Sequence, residues 1–185
     1  MKRLSQRPRS TQARSVRGTV APVSDSLNSL PLNTDGTDPA TPPRLPIWSM
    51  WTGSDGLSHI DASELAGFGL KSIGGGADPQ WLRPFPGTVT NVSFAVLPVG
   101  WVGDWHESPA PQWVVPLRGR WFIETQDGSR VEMGPGEIHF GQDQGTSERD
   151  GHTGHRSGQL GDEPCLQLLV QFAPPVAAST QHPFA

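Results

Sequence analysis

One stretch of the chain contains residues whose types and spacing could bind a metal ion. Between Gly100 and Gly119 the sequence follows the pattern G-x5-H-x-S-x3-Q-x6-G, in which the histidine is His106 and the glutamine is Gln112. Imidazole nitrogens are good ligands for Fe, Mn, Ni, Cu and Zn, and two of them with one oxygen donor leave positions open for water or substrate. Asp104 has the same parity as His106 and is expected on the same side of an extended chain. The stretch therefore predicts a metal site or a polar small-molecule site.

A series of short motifs occurs before, within and after this stretch. They are Asp55-Gly56-Leu57-Ser58-His59, Trp105 to Gln112, Leu117-Arg118-Gly119, Asp127-Gly128, Gly134 to Glu137, Gln142-Asp143, Gly154-His155-Arg156 and Gly161 to Pro164. This series resembles the cupin superfamily, and more closely its single-domain members. The resemblance covers residues 48 to 172 and implies a small β-barrel whose interior holds a metal.

The resemblance also implies a ligand set, made of His106, Gln112 and His155. A cupin site of three histidines and one glutamate carries one negative charge, whereas this set carries none. The affinity for a divalent ion is therefore expected to be lower, unless Asp104 or Asp143 supplies a carboxylate. The implied cofactor is a divalent transition metal, Fe, Mn, Ni or Zn. The alternative is a metal-free polar pocket in which His106 and His155 are hydrogen-bonded.

Two classes of function follow from this pocket, and a third from the fold. As an enzyme, the protein would resemble metal-dependent cupin oxygenases, isomerases or lyases, with Asp104 or Asp143 as the candidate catalytic base. As a binding or sensing module, it would use the same concave pocket for a small molecule without an open coordination site. The neutral Gln112 favours this second class more than an intact motif would. The third class is structural, since cupins commonly pair through edge strands, which predicts a homodimer.

Other histidines and the tryptophans have weaker assignments. His59 lies at a cupin position on the first strand, where we expect a hydrogen-bonded structural residue rather than a ligand. His139 and His182 lie outside the motifs, and the sequence gives them no role. Most tryptophans near the first motif are expected to pack in the core, with one or two lining the pocket. These tryptophans are Trp101, Trp105, Trp113 and Trp121.

The elements that position these residues are predicted to be short strands. The chain has 22 Gly and 19 Pro, which favours many short strands over long helices. Turn signals at Arg118-Gly119 and Gln126-Asp127-Gly128 predict tight hairpins, and Asp61 to Leu65 could begin one turn of helix. Residues 74 to 87 are expected to form a long connection. Strands are predicted at residues 47–51, 57–60, 91–99, 113–117, 120–125, 130–133, 138–140 and 164–172.

The fold class expected from this pattern and from the resemblance is all-β, a cupin double-stranded β-helix, or jelly-roll barrel. Residues 46–173 would form the barrel domain. Residues 1–45 are expected to be a disordered basic extension rich in Pro and Ser, because they offer little apolar surface. Residues 174–185 are expected to form a flexible tail. The first twenty residues, rich in Arg and Ser, would also suit an organelle transit peptide or contacts with phosphate or nucleic acid.

Charge and composition restrict the partners. Residues 1 to 45 are basic although the whole chain has a net charge of −4, so the barrel itself is acidic and has no electrostatic reason to bind nucleic acid. No apolar run approaches the roughly 18 residues of a membrane span. The lone Cys165 is expected to be a buried structural thiol. We therefore expect a soluble, cytoplasmic protein that binds a small molecule and no membrane.

Overall fold

The computed structural model describes residues 41–174 together with Phe184, and in this part of the chain all regular secondary structure is β. The predicted all-β class is confirmed. Residues 1–40 of the predicted extension and most of the predicted tail lie outside the described residues. No described helix has the length and apolarity to cross a membrane. The strands are β1 Leu45–Thr52, β2 Ser58–Leu65, β3 Gly69–Lys71, β4 Gln80–Leu82, β5 Val89–Leu97, β6 Gln112–Arg118, β7 Arg120–Thr125, β8 Arg130–Met133, β9 His139–Gln142, β10 His155–Leu160 and β11 Cys165–Phe172.

The strands form a sandwich-like arrangement of sheets. A six-stranded sheet has the order β2-β1-β9-β6-β11-β5, a three-stranded sheet has the order β10-β7-β8, and β3 pairs with β4. Neighbouring strands are antiparallel, except that β1 and β9 run parallel. The described strands are thus divided among separate sheets and do not form one continuous closed barrel.

The core lies between the six-stranded and the three-stranded sheet. Strand β11 shows the alternation behind it, because Cys165 and Gln167 are buried while Leu166 and Leu168 are only partly covered on the other face. Burial raises the pKa of the Cys165 thiol, as expected for a structural cysteine. Residues of both sheets meet in one apolar cluster, formed by Trp48, Met50, Ile60, Val114, Trp121, Ile123, Val131, Met133 and Cys165.

Two local predictions are wrong. Residues 61 to 65 form no helical turn but continue β2, where their backbone pairs with β1 from Leu45 to Ser49. Arg118-Gly119 is not a hairpin, because β6 and β7 belong to different sheets. Gly119 instead turns the chain from one sheet into the other, with a φ of +70°. A Cβ at this position would clash with the carbonyl of Pro164, so the corner requires glycine.

The remaining turn and strand predictions agree with the structure only in part. The hairpin predicted at Gln126-Asp127-Gly128 is confirmed, since β7 and β8 pair antiparallel on either side of it. Strand β4 lies inside the predicted long connection at residues 74–87. Strand β10 has no counterpart among the predicted strands. Its sequence HRSGQL contains no β-branched residue, and its conformation depends on pairing with β7 along its whole length.

Strand β5 is an edge of the six-stranded sheet and has an exposed apolar face. It pairs with β11 on one side only. Val92, Phe94 and Val96 alternate along it and are 59%, 69% and 59% exposed. Isolated exposed hydrophobic residues are ordinary, but an apolar row along an edge strand is a surface suited to association.

Candidate functional site

A cavity of about 170 Å³ lies between the two larger sheets. The six-stranded sheet contributes residues of β5, β6, β9 and β11, and the three-stranded sheet contributes residues of β7 and β10. Apolar and polar side chains share the lining. The residues are Ala95, Leu97, Trp101, His106, Gln112, Val114, Trp121, His139, His155, Ser157, Gln167 and Leu169. Three imidazoles therefore meet in one partly enclosed space.

His106 reaches the cavity from a loop that is fixed to β10. The N–H of His106 donates to the carbonyl of His155 at 2.9 Å, and the N–H of His155 donates to the carbonyl of His106 at 2.8 Å. These reciprocal bonds bring the two imidazole centroids to 4.6 Å. Gly154, with a φ of +68°, makes the approach possible, because a Cβ there would clash with the carbonyl of His106. The two histidines are thus held as a unit.

Both imidazoles have a fixed tautomer. Nδ1 of His106 lies 2.7 Å from the carbonyl oxygen of Asp104, which can only accept, so Nδ1 carries the proton. Nδ1 of His155 likewise lies 2.6 Å from Oδ2 of Asp143. In each neutral ring Nε2 is then the nitrogen with the free lone pair. This arrangement suits either a metal ligand or a base.

Asp143 lies behind His155 and is completely buried. Its Oδ1 accepts a hydrogen bond from the N–H of Ser108 at 2.9 Å, while Oδ2 faces His155. Burial alone would raise the pKa of this carboxyl. The nearby His155 and the hydrogen bonds from His155 and Ser108 outweigh burial, so the pKa lies below its ordinary value of 3.8. The Asp143 carboxylate therefore stays ionised and orients the imidazole.

His139 lines the cavity, although no role was assigned to it from the sequence. Its side chain is 1% exposed, and neither ring nitrogen has a hydrogen-bond partner among the described residues. Burial is the main reason that the pKa of His139 is lowered to about 3, and repulsion from His155 adds to this whenever that ring is protonated, so the His139 ring is neutral. Its spacing is one signal in the sequence. Along an extended chain His139 lies on the same side as Gly141, which is in β9, and Asp143, which follows β9.

Two further buried N–H groups at the cavity have no acceptor. They are Nε1 of Trp121 and Nε2 of Gln167, and neither has a partner among the described residues. The motifs named neither residue as a ligand or base, although Trp121 and Trp101 meet the expectation that some tryptophans line the pocket. The amide oxygen of Gln112 accepts a hydrogen bond from Nε2 of Gln171 at 3.1 Å, which occupies one of its two lone pairs.

The structure brings some of the predicted site residues together and separates others. His106, Gln112 and His155 all line the cavity. Asp143 contacts His155 but does not line the cavity, and Asp104 is exposed and contributes its backbone carbonyl. The segment around Asp104 is a loop that is joined to β10 by isolated bridges, rather than a continuous strand. The chemical roles assigned to these residues stay predictions.

The residues present fit a resident metal ion only in part. His106 and His155 have the tautomer that a metal requires, each supported by an oxygen at Nδ1. Among the described residues, however, no group of three or more His, Cys, Asp and Glu is arranged to hold a metal. The oxygen of Gln112 is engaged by Gln171, and a neutral amide would add no charge. This donor set does not complete a metal site, and the function proposed below uses none.

His59 belongs to a separate cluster, as expected for a structural histidine. Its Nε2 lies 2.9 Å from Oδ1 of Asp55, and its Nδ1 lies 3.0 Å from Oδ2 of Asp127. The ring also stacks on Trp51, with centroids 5.6 Å apart. Burial lowers the pKa of His59, but the hydrogen bonds and charges of the two aspartates outweigh it, and the pKa is raised above 6.5. His59 thus links the β1–β2 turn to the β7–β8 turn.

Comparison with known proteins does not assign a function to this site. No family model matches the chain, and no curated protein matches it.

Proposed function

We propose that the chain is a cupin-like enzyme that transfers a proton on a small molecule bound between its sheets, as isomerases and lyases do. The observation that carries the proposal is the pair of His155 and Asp143, 2.6 Å apart, with the imidazole at the cavity and the carboxylate behind it. The ordered motifs and the all-β sheets support a jelly-roll relationship. The open lone pair on His155 supports the chemistry.

In this proposal His155 is the general base. Nε2 takes a proton from the bound molecule, and the ring becomes positively charged. The Asp143 carboxylate stabilises that charge and prevents the ring from turning, as the third member of a nucleophile–histidine–aspartate site does. The proton then returns from Nε2 to another atom of the same molecule, which completes an isomerisation, or a group leaves, which completes an elimination.

His106 is the second group available for proton transfer. Its ring centroid is 4.6 Å from that of His155, and its tautomer also leaves Nε2 unprotonated. Two neighbouring imidazoles allow a proton to be taken at one atom of the ligand and returned at another. The reciprocal backbone bonds between the two residues keep this spacing constant.

The size of the cavity restricts the substrate. Its volume of about 170 Å³ is close to that of an engineered cavity of roughly 150 Å³ that accommodates benzene. A single six-membered ring or a short-chain acid or ketone fits this space. A nucleotide or an oligosaccharide would have to extend out of the open side of the cavity. The substrate is therefore a metabolite of few non-hydrogen atoms.

The test is hydrogen–deuterium exchange at carbon, followed by proton NMR in D2O with cyclohexanone, hydroxyacetone and 2-oxobutanoate. The protein should accelerate loss of the α-proton signal of at least one compound over buffer. His155→Ala should return the rate to that of buffer, and Asp143→Asn should lower it by about 10²-fold. His152→Ala, an exposed histidine outside the cavity, is the matched control. Binding without any accelerated exchange would instead identify a non-catalytic binding module.

A further inference from the structure

Besides the ring N–H of His139, two buried N–H groups at the cavity have no acceptor among the described residues. Trp121 and Gln167 are 5% and 4% exposed, and their Nε1 and Nε2 groups have no partner among the described residues. Gln167 acts to lower the pKa of the nearby Cys165 thiol, against the larger effect of burial, but sulfur is a weak acceptor. Native proteins leave few buried N–H groups unsatisfied, so these two call for an acceptor inside the cavity.

The donors lie on opposite walls of the same space. Trp121 belongs to β7 in the three-stranded sheet, and Gln167 belongs to β11 in the six-stranded sheet. Both side chains line the cavity that contains His155. A molecule between the sheets is therefore flanked by the two side chains that carry these N–H groups. Each N–H can donate only to an oxygen or nitrogen acceptor that the bound molecule carries.

The charges at the cavity favour an uncharged ligand. No Lys or Arg is among the residues that line it. His139 is neutral, and any positive charge on His155 is already balanced by the Asp143 carboxylate. A ligand carboxylate would lose its hydration without gaining a cation of its own, which is costly. A carbonyl oxygen needs only the N–H donors that are present.

We infer that the ligand is a small uncharged carbonyl compound, and that Trp121 and Gln167 are the residues that bind its oxygen. The inference rests on the proposed function, which it makes more specific. In the reaction, the C–H bond next to the carbonyl breaks and the proton goes to Nε2 of His155. The electron pair forms a C=C bond, and the carbonyl π pair moves to oxygen. The N–H donors stabilise that oxygen until the proton returns to a different atom.

The test follows the indole N–H resonances of the full chain by NMR during titration with cyclohexanone, benzene and cyclohexanecarboxylate. The Trp121 resonance, assigned by its loss in Trp121→Phe, should move downfield with cyclohexanone and not with benzene. Gln167→Leu should weaken cyclohexanone binding about fivefold, the effect of one hydrogen bond, and leave benzene binding unchanged. Cyclohexanecarboxylate should bind more weakly than cyclohexanone. Trp51→Phe, on the far side of β1 beside His59, is the matched control.

The outcomes separate this inference from the proposed function. Benzene binding as tightly as cyclohexanone, or Gln167→Leu and Trp121→Phe both binding like the parent protein, would overturn the inference. Because Trp121 is a core residue, the Gln167 variant decides the matter if Trp121→Phe fails to fold. A shifted Trp121 resonance without catalysed exchange would support the ligand class and reject the catalytic role of His155. Catalysed exchange that Gln167→Leu and Trp121→Phe both retain would support the catalytic role of His155 and reject the two residues as the binding site of the carbonyl oxygen.

Discussion

Nδ1 of His155 and Oδ2 of Asp143 are 2.6 Å apart, and both side chains are buried. The two residues come from opposite ends of the loop that follows β9, so the contact fixes the loop as well as the ring. Ser108 extends the arrangement by donating its N–H to the second oxygen of the carboxylate. Asp143 thus ties together β9, the start of β10 and the loop that carries His106.

Asp143→Asn is predicted to destabilise the fold as well as to lower activity. The amide keeps the shape but removes the negative charge that faces His155, and breaking a buried pair typically costs about 3 kcal/mol. The free energy of unfolding, measured with urea at neutral pH, tests this. Asp150→Asn, which changes an exposed carboxylate in the same loop, should leave it unchanged. Equal stabilities for the two variants would show that the pair contributes nothing to folding.

Gly154→Ala is predicted to separate the two histidines. The added methyl group would clash with the carbonyl of His106, so the reciprocal backbone bonds between His106 and His155 would lengthen or break. We expect a loss of about 2 kcal/mol of stability and a loss of ligand binding. Gly151→Ala is the matched control, because Gly151 also has a left-handed φ but open space around it. If both variants lose the same stability, backbone strain alone explains the effect.

The sequence predicted strands well where local signals dominate. Residues 130–133 and 120–125 were placed correctly because a turn with Asp127-Gly128 separates two apolar segments. The same reasoning from local turn residues failed at Arg118-Gly119. In the sequence, a glycine at a corner between two sheets cannot be distinguished from a glycine in a hairpin turn. Strand β10 was missed because its polar sequence has little β propensity, and its conformation depends on pairing with β7 and on bonds to residues 101–106.

The candidate site could be predicted only in part, because some of its residues belong to motifs and others are placed by long-range strand pairing. Motif order identified His106, Gln112 and His155, and the structure brings them to one cavity. Motif order did not identify His139 or Gln167. The side of the chain that His139 shares with Gly141 and Asp143 becomes informative only when it is known which sheet face points inward. That is decided by pairings distant in sequence, such as Val114 with His139. Nor could the alternation of side chains along the strand show that Asp143 would lie behind the imidazole of His155 and not in the cavity.

His59 is predicted to make stability depend on pH. Its pKa is raised above 6.5 in the folded protein, so its contribution is fully present below pH 6.5 and is lost as the pH rises through the folded pKa. His59→Gln should therefore reduce the fall in unfolding free energy measured across that range. The effect should be under about 1 kcal/mol, since the ring is partly exposed. His152→Gln, at an exposed site, should keep the parent profile; an unchanged profile in His59→Gln would contradict the prediction.

The apolar face of β5 is predicted to hold two copies of the chain together. Val92, Phe94 and Val96 lie along an edge strand with no neighbour on one side among the described strands. An apolar contact is insensitive to ionic strength, so a dimer seen by analytical ultracentrifugation should persist at high salt. Phe94→Glu should dissociate it, while Leu70→Glu, at an exposed position of β3, should not. A dimer that dissociates in salt, or a monomer at all concentrations, would reject this surface.

Gln112→Glu is predicted to create a metal site that the parent protein lacks or holds weakly. Nε2 of both His106 and His155 is free to bind an ion, and the new carboxylate would supply the missing charge and a third donor. The N–H of Gln171 that now donates to Gln112 could donate to one carboxylate oxygen and orient it. Calorimetric titration of untagged protein with Zn²⁺ or Mn²⁺ should show weak binding by the parent and stoichiometric binding by the variant.

Two sets of controls make the metal experiment decisive. Gln80→Glu adds the same charge at an exposed position of β4 and should bind like the parent protein, which separates ligation from a general effect of charge. His106→Ala or His155→Ala, each combined with Gln112→Glu, should abolish the gain because two donors then remain. Equal, weak and non-stoichiometric binding in every variant would mean that the cavity cannot be completed into a metal site. Tight binding by the parent itself, lost in either histidine variant, would instead restore the metal-dependent function that the motif order implies.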